Sequence, residues 1–135
     1  MAARSVFLVE DESAVAEMYR LGLAMRGFEV SVHADSPPFF EALETSLPDV
    51  VILDWNLPTL TGGEVLQHLR RDERTHRLPV FILSNHPKSH FTSEIVSRFG
   101  ALAWLEKVHT TPSHLAGVVA QVFEETPARQ AVSKG

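Results

Sequence analysis

Short apolar runs and amphipathic stretches take turns along this chain. Five runs carry the branched and aromatic residues typical of strands: Val6–Val9, Phe28–Val32, Val50–Asp54, Val80–Leu83 and Leu102–Leu105. The third reads VVILD, four apolar residues without alternation, which suits a strand covered on both faces, as in a parallel sheet. Between the runs, apolar residues recur at helical spacing. A first helix is expected from Ser13, read as its N-cap, with Met18, Leu21, Leu23 and Met25 on its apolar side and Gly27 as its stop. A second starts at Ser36 before Pro37-Pro38 and sets Phe40, Leu43 and Leu47 on one face. A third follows Gly62-Gly63 with Val65, Leu66 and Leu69; a fourth spans Lys88–Phe99 and stops at Gly100. A fifth begins near Pro112 and runs through Val118, Val119, Val122 and Phe123.

Five strands alternating with five helices predict a single α/β domain over residues 4–125, built on a doubly wound, five-stranded parallel sheet. Residues 126–135 are polar, contain Pro127, and read as a flexible tail or linker stub. Right-handed crossovers restrict the topology, and ligands of such sheets sit beyond the carboxyl ends of the strands, at the point where strand order reverses. The expected strand ends carry Glu10-Asp11-Glu12, Asp54, Ser84-Asn85 and Glu106-Lys107. In a sheet of order 2-1-3-4-5 these four groups meet at one edge.

Composition narrows the class without changing this picture. A chain of 135 residues that is 44% apolar can bury a real core. Its net charge of -5 argues against direct nucleic-acid binding. With no cysteine, neither a disulfide framework nor a thiolate metal site is possible. No segment is long and apolar enough for a bilayer, so no membrane contact is expected. The N-terminus shows no signal-like pattern, so a soluble cytoplasmic domain is expected.

The chemistry lies in the convergence of Glu10, Asp11 and Asp54. Three carboxylates near one point repel and need a cation to stay ionised together. Oxygen donors with no nearby His or Cys favour a hard ion, and Mg²⁺ is the natural choice. Mg²⁺, a lysine (Lys107) and a hydroxyl (Ser84) suit a phosphoryl group, and an aspartate held in line, Asp54, suits a nucleophile. Each feature has a plainer reading when taken alone. Glu10–Glu12 can be a charged loop at a helix start, Ser84 a helix cap, Lys107 a solvated side chain, and Trp104 a static core aromatic. His86 and His90, four apart, lack a third ligand and read as surface histidines.

Four segments, FLVEDE, PDVVILDWNLPTLTGGEVLQHLR, LPVFILS and FGALAWLEK, occur in the order found in one family. From about Ser5 to Glu125 the chain resembles the receiver domain of two-component response regulators, the CheY-like member of the flavodoxin-like folds. The resemblance implies that Asp54 is the phosphoacceptor, taking a phosphoryl group from a phosphohistidine of a sensor histidine kinase or phosphotransfer protein. It implies that Glu10 and Asp11 hold Mg²⁺, with Asp11 the direct ligand, and that the backbone carbonyl of Asn56 completes the shell beside Asp54. Ser84 matches the switch hydroxyl, Lys107 the phosphoryl-binding lysine and Trp104 the switch aromatic. Asn56 and His86 stand where the family tunes the lifetime of the phosphoryl group. Phosphorylation would then change affinity for a downstream target protein at the face formed by the fourth helix, fifth strand and fifth helix, which also offers a homodimer contact. Such a domain is no classical enzyme and catalyses only its own phosphorylation and dephosphorylation.

Five positions depart from the family pattern. Lys107 is followed by Val108 rather than proline, so a trans bond or a rearranged loop is expected there. Thr61 replaces an aspartate, Leu102-Ala103 replaces two commonly acidic residues, and Glu106 precedes the lysine, with which it is expected to pair. These departures sustain a second reading, a degenerate receiver that binds partners without phosphorylation. A third, a phosphohydrolase working through a phospho-aspartate, would want an acid at position 56, where Asn56 stands.

Overall fold

The computed structural model describes residues 3–87 and 98–134, with side chains as far as Glu124. Five parallel strands form one sheet: β1 (Ser5–Val9), β2 (Glu29–His33), β3 (Val50–Asp54), β4 (Val80–Ser84) and β5 (Ala103–Glu106), in the order 2-1-3-4-5. Helices α1 (Ser13–Met25), α2 (Ser36–Thr45) and α3 (Gly62–Arg71) connect them. A 3₁₀ turn (Lys107–His109) and a last helix (Pro112–Lys134) follow β5. The fourth expected helix, Lys88–Phe99, lies outside the described residues except for Arg98 and Phe99, which are helical. The last helix continues through most of the stretch read from sequence as a tail.

Side-chain alternation along the strands divides the core into two layers. Phe7, Val9, Val51, Leu53, Val80 and Ile82 face Phe39 and Leu43 of α2 and Val65, Leu66 and Leu69 of α3. Val6, Leu8, Val50, Ile52, Phe81 and Leu83 face Ala16, Tyr19 and Leu23 of α1 and Leu115, Ala116 and Val119 of the last helix. Every residue of β3 and β4 is buried, whereas β2, at the sheet edge, is half exposed. That is the difference between the unbroken apolar run VVILD and the mixed EVSVH.

Two sequence expectations are corrected. The buried side of α1 is Ala16, Tyr19 and Leu23, while Met18, Leu21 and Met25 are exposed. The exposed three form their own helical stripe at the same spacing as the buried one, so spacing does not separate the two, and the larger apolar side chains pointed to the wrong one. The N-cap of α1 lies one residue before the expected Ser13, whereas α2 starts at Ser36 as expected. Glu12 stands at the cap position of α1 without a side-chain cap bond, and Asp35 caps α2 by accepting the Ser36 amide.

Helix α1 approaches the last helix closely at Gly22. A Cβ there would stand 2.5 Å from Pro112 Cβ and 2.9 Å from its carbonyl carbon and oxygen. Gly22→Ala gains helix propensity but overpacks a backbone contact, and we expect a net loss of about 1–2 kcal/mol. A lower urea midpoint at unchanged slope is the expected signature, and a raised midpoint would show that the interface yields.

Candidate functional site

Register brings the strand ends level. Val9 pairs with Leu53, Asp54 with Leu83 and Ser84 with Glu106. From β1 the chain turns outward to β2, while β3 returns to the other side of β1. A crevice therefore opens between the β1 and β3 ends, where Glu10, Asp11, Asp54 and Lys107 come together.

Glu10 and Asp54 are only 1% and 4% exposed, and Asp11 is exposed. Lys107 reaches between the two buried carboxylates, with Nζ 2.6 Å from Glu10 Oε1 and 3.2 Å from Asp54 Oδ2. The other Glu10 oxygen, Oε2, accepts the Glu12 amide at 3.1 Å, which turns the acidic segment into α1. Burial, with the negative charge of Glu10, pushes the Asp54 carboxyl up to about 7, although Lys107 pulls it back. For Lys107, burial works downward, but the hydrogen bond to Glu10 and the charge of Asp54 prevail and raise its pKa. Two buried acids thus share one ammonium, and Asp11 adds a third acid at the mouth. Carboxylate oxygens of Glu10, Asp11 and Asp54 lie within 4.8 Å of one another. An all-oxygen donor set with negative charge in excess fits a hard divalent cation such as Mg²⁺.

The loop after Asp54 is folded back on its own start. The Gly62 amide donates to the Trp55 carbonyl at 2.7 Å, and the Asn56 amide to Asp54 Oδ1 at 3.4 Å. A Cβ on Gly62 would stand 2.6 Å from the Asp54 carbonyl oxygen, so this close return requires glycine. Thr61, where the resemblance suggested an aspartate, caps α3 in a reciprocal capping box with Glu64.

Ser84 is fully buried, and its hydroxyl accepts the His86 amide at 2.9 Å. Asn56 Nδ2 and His86 Nε2 meet at 3.2 Å, bridging the loops after β3 and β4. Trp104 is buried and donates its indole N–H to the His86 carbonyl at 3.2 Å. Its ring lies 5.1 Å from that of Trp55. His90 lies outside the described residues.

The expected Lys107–Glu106 pair is not what forms. Neighbouring residues at a strand end point to opposite sides, so Lys107 faces the carboxylates and Glu106 does not. No cis peptide occurs among the described residues, and the segment after Lys107 is a 3₁₀ turn. Thr110 closes that turn. Its amide donates to the Lys107 carbonyl at 3.2 Å, its hydroxyl to the Glu106 carbonyl at 2.7 Å, and its carbonyl accepts the buried Tyr19 hydroxyl at 2.8 Å. Sequence reasoning missed Tyr19 and Thr110, because nothing local marks a contact spanning 91 residues. It also missed the tie between Asp35 and Thr59. The available signal there was an Asp directly before Ser-Pro-Pro, an N-cap pattern.

The family model described as "Response regulator receiver domain" matches residues 6–119. The phosphate regulon transcriptional regulatory protein PhoB of Rhizobium meliloti (strain 1021) is 34% identical over 124 residues, covering 90% of this chain and 53% of that protein. The DNA-binding dual master transcriptional regulator RpaA of Synechocystis is 36% identical over 80 residues, covering 58% of this chain and 33% of that protein. The chain thus spans about half the length, or less, of these curated relatives. Among solved structures, chemotaxis protein CheY4 of Vibrio cholerae superposes with a TM-score of 0.81 at 26% identity, covering 90% of this chain and 99% of that one. The receiver domain of Francisella response regulator 1452 gives a TM-score of 0.81 at 24% identity, over 91% and 98%. Strand order, site position and family match agree, and the chain belongs to the response regulator receiver domain family of two-component signalling.

Proposed function

We propose that this receiver domain is a phosphoacceptor switch in which Asp54 takes a phosphoryl group from a phosphohistidine. The observation that carries the reading is the Asp54 carboxylate at the β1/β3 switch point, held by Lys107 beside Glu10 and Asp11. One Asp54 oxygen attacks phosphorus; the O–P bond forms as the N–P bond breaks, and the imidazole, protonated on its other nitrogen, takes the bonding pair and leaves as the neutral ring. Asp54 must be ionised to attack, and in the metal-free protein burial and Glu10 hold its proton up to about pH 7. Mg²⁺, when bound, supplies the positive charge that this acidic site lacks and neutralises the phosphoryl oxygens. Asp11, Glu10, Asp54 and the Asn56 backbone carbonyl would hold it, with Asp11 the accessible direct ligand. The Lys107 ammonium is placed to exchange its contact with Asp54 for one with a phosphoryl oxygen.

Ser84 accepts one hydrogen bond and keeps its own proton to donate to the phosphoryl group. Movement there reaches His86, whose amide Ser84 holds and whose carbonyl holds Trp104. We assign Ser84, His86 and Trp104 to the switch, and Asn56 with His86, which meet over the site, to the lifetime of the phosphorylated form. A histidine kinase or phosphotransfer protein is the donor, and a downstream protein reads the switched surface.

Intact mass after incubation with acetyl phosphate tests the reading. A single Mg²⁺-dependent phosphoryl adduct is expected, labile to hydroxylamine and absent from Asp54→Asn. No adduct on folded protein, from acetyl phosphate or from a histidine kinase, would favour a receiver that binds partners without phosphorylation. An adduct that persists in Asp54→Asn would move the acceptor elsewhere.

A further inference from the structure

The loop that follows Asp54 is tied to a different part of the chain. Asp35, between β2 and α2, caps α2 through Oδ1, which accepts the Ser36 amide at 2.8 Å. The same oxygen accepts the Thr59 amide at 3.2 Å, and Oδ2 accepts the Thr59 hydroxyl. The Thr59 hydroxyl bond, opposed by burial and supported by the two amides, holds the Asp35 carboxyl below its usual range. Thr59 sits near the crown of the loop, three residues beyond Asn56 and two before the Thr61 cap. Leu57 and Leu60 on either side of it rest on the core. The base of the loop is closed by Gly62 on Trp55. The crown is therefore fixed by Asp35, from the connection on the far side of β1.

We infer that Asp35 is a positioning residue for the divalent-cation site: through Thr59 it fixes the loop that presents Asn56. This inference rests on the metal reading above. Mg²⁺ demands near-ideal octahedral geometry and gains little from a ligand that drifts. A backbone carbonyl has no rotamer to adjust, so its aim is set by whatever holds its loop. Asp35 touches neither the cation nor the phosphoryl group and acts through Thr59.

Two variants separate this role from simple helix capping. Thr59→Val removes the hydroxyl bond at nearly constant volume and leaves the α2 cap intact. Asp35→Ser keeps a capping side chain but is too short to hold Thr59. We expect each to weaken Mg²⁺ binding about tenfold, the lower end of the loss seen for other residues that orient metal ligands. The readouts are calorimetry and tryptophan fluorescence, with Trp55 adjoining Asp54. The double variant should lose no more than the larger single loss, because both break one tie. The melting temperature of metal-free Thr59→Val should stay near that of the unaltered protein, and phosphoryl uptake at saturating Mg²⁺ should persist. Mg²⁺ affinity within twofold of the unaltered protein in both variants would overturn the inference while leaving the metal reading intact. Additive losses that follow the melting temperature would also overturn it, since they would mark a purely structural tie. An unaltered protein that binds no Mg²⁺ would overturn the metal reading and this inference together.

Discussion

Replacing Lys107 with methionine is expected to cost the metal-free protein about 3–5 kcal/mol of unfolding free energy at mildly alkaline pH. Methionine preserves most of the apolar stem and removes only the ammonium. Glu10 Oε1 and Asp54 Oδ2 then face each other across a buried site with no cation between them. The loss should depend on pH. Asp54 titrates near 3.8 when unfolded and at about 7 in the fold, so the folded state holds its proton more tightly. Stability from this group is fully present below the unfolded value and falls as pH rises through the window between the two. Without Lys107 the folded value moves higher still, and the variant goes on losing stability above the point where the unaltered protein levels off. Urea unfolding near pH 5 and again near pH 8 measures this, with the deficit expected to widen at the higher pH. A small, pH-independent deficit would mean that Lys107 does not neutralise the buried pair.

Asp54→Asn is expected to do the opposite to stability while abolishing phosphoryl uptake. At neutral pH the unfolded chain has this carboxyl ionised, and the fold drives it toward the protonated form. A gap of about three pKa units corresponds to a stabilisation of a few kcal/mol when the charge is removed. Asparagine keeps the shape, and Lys107 retains its shorter contact with Glu10. The metal-free variant should melt several degrees above the unaltered protein at neutral pH. That advantage should shrink in strong acid, where aspartate is neutral in both states. Adding Mg²⁺ should reverse the order, since a ligand that binds only the folded state raises its stability by mass action and the variant lacks one anionic donor. If the variant melts lower than the unaltered protein without metal, Asp54 is stabilising as an ion and its pKa is not raised.

Both effects arise from one conflict. On the proposed reading, Asp54 must be buried enough to exclude water and close enough to other acids to share a cation. Both conditions oppose its ionisation, and the fold tolerates them because Lys107 lies 2.6 Å from one acid and 3.2 Å from the other. The agreement of local preference with tertiary demand breaks down at such sites.

Much of the fold was legible because its signals are local and redundant. VVILD reads as a doubly covered strand, and β3 is buried at all five positions. The alternation of strands and helices implied a parallel sheet, and handedness with the crevice rule placed Glu10, Asp54, Ser84 and Lys107 at one end. Motif order supplied the family, and a family model spanning residues 6–119 agrees. The buried side of α1 was less legible. Tyr19 goes inward because its hydroxyl finds the Thr110 carbonyl, while Met18, Leu21 and Met25 point to solvent. Apolar character alone does not tell a helix which of two stripes to bury.

Residue types and their order were enough to specify which groups assemble at the crevice, since strand ends and crossover handedness follow from local pattern. How those groups share charge required the fold. Lys107 chooses Glu10 and Asp54 over its neighbour Glu106 because a strand end separates adjacent side chains, while parallel register brings together residues 97 and 53 positions apart. The raised Asp54 pKa, the bridge from Asn56 to His86 and the Asp35–Thr59 tie share that origin. Each depends on distance and desolvation between segments remote in the chain, and neither quantity is encoded in any one of them.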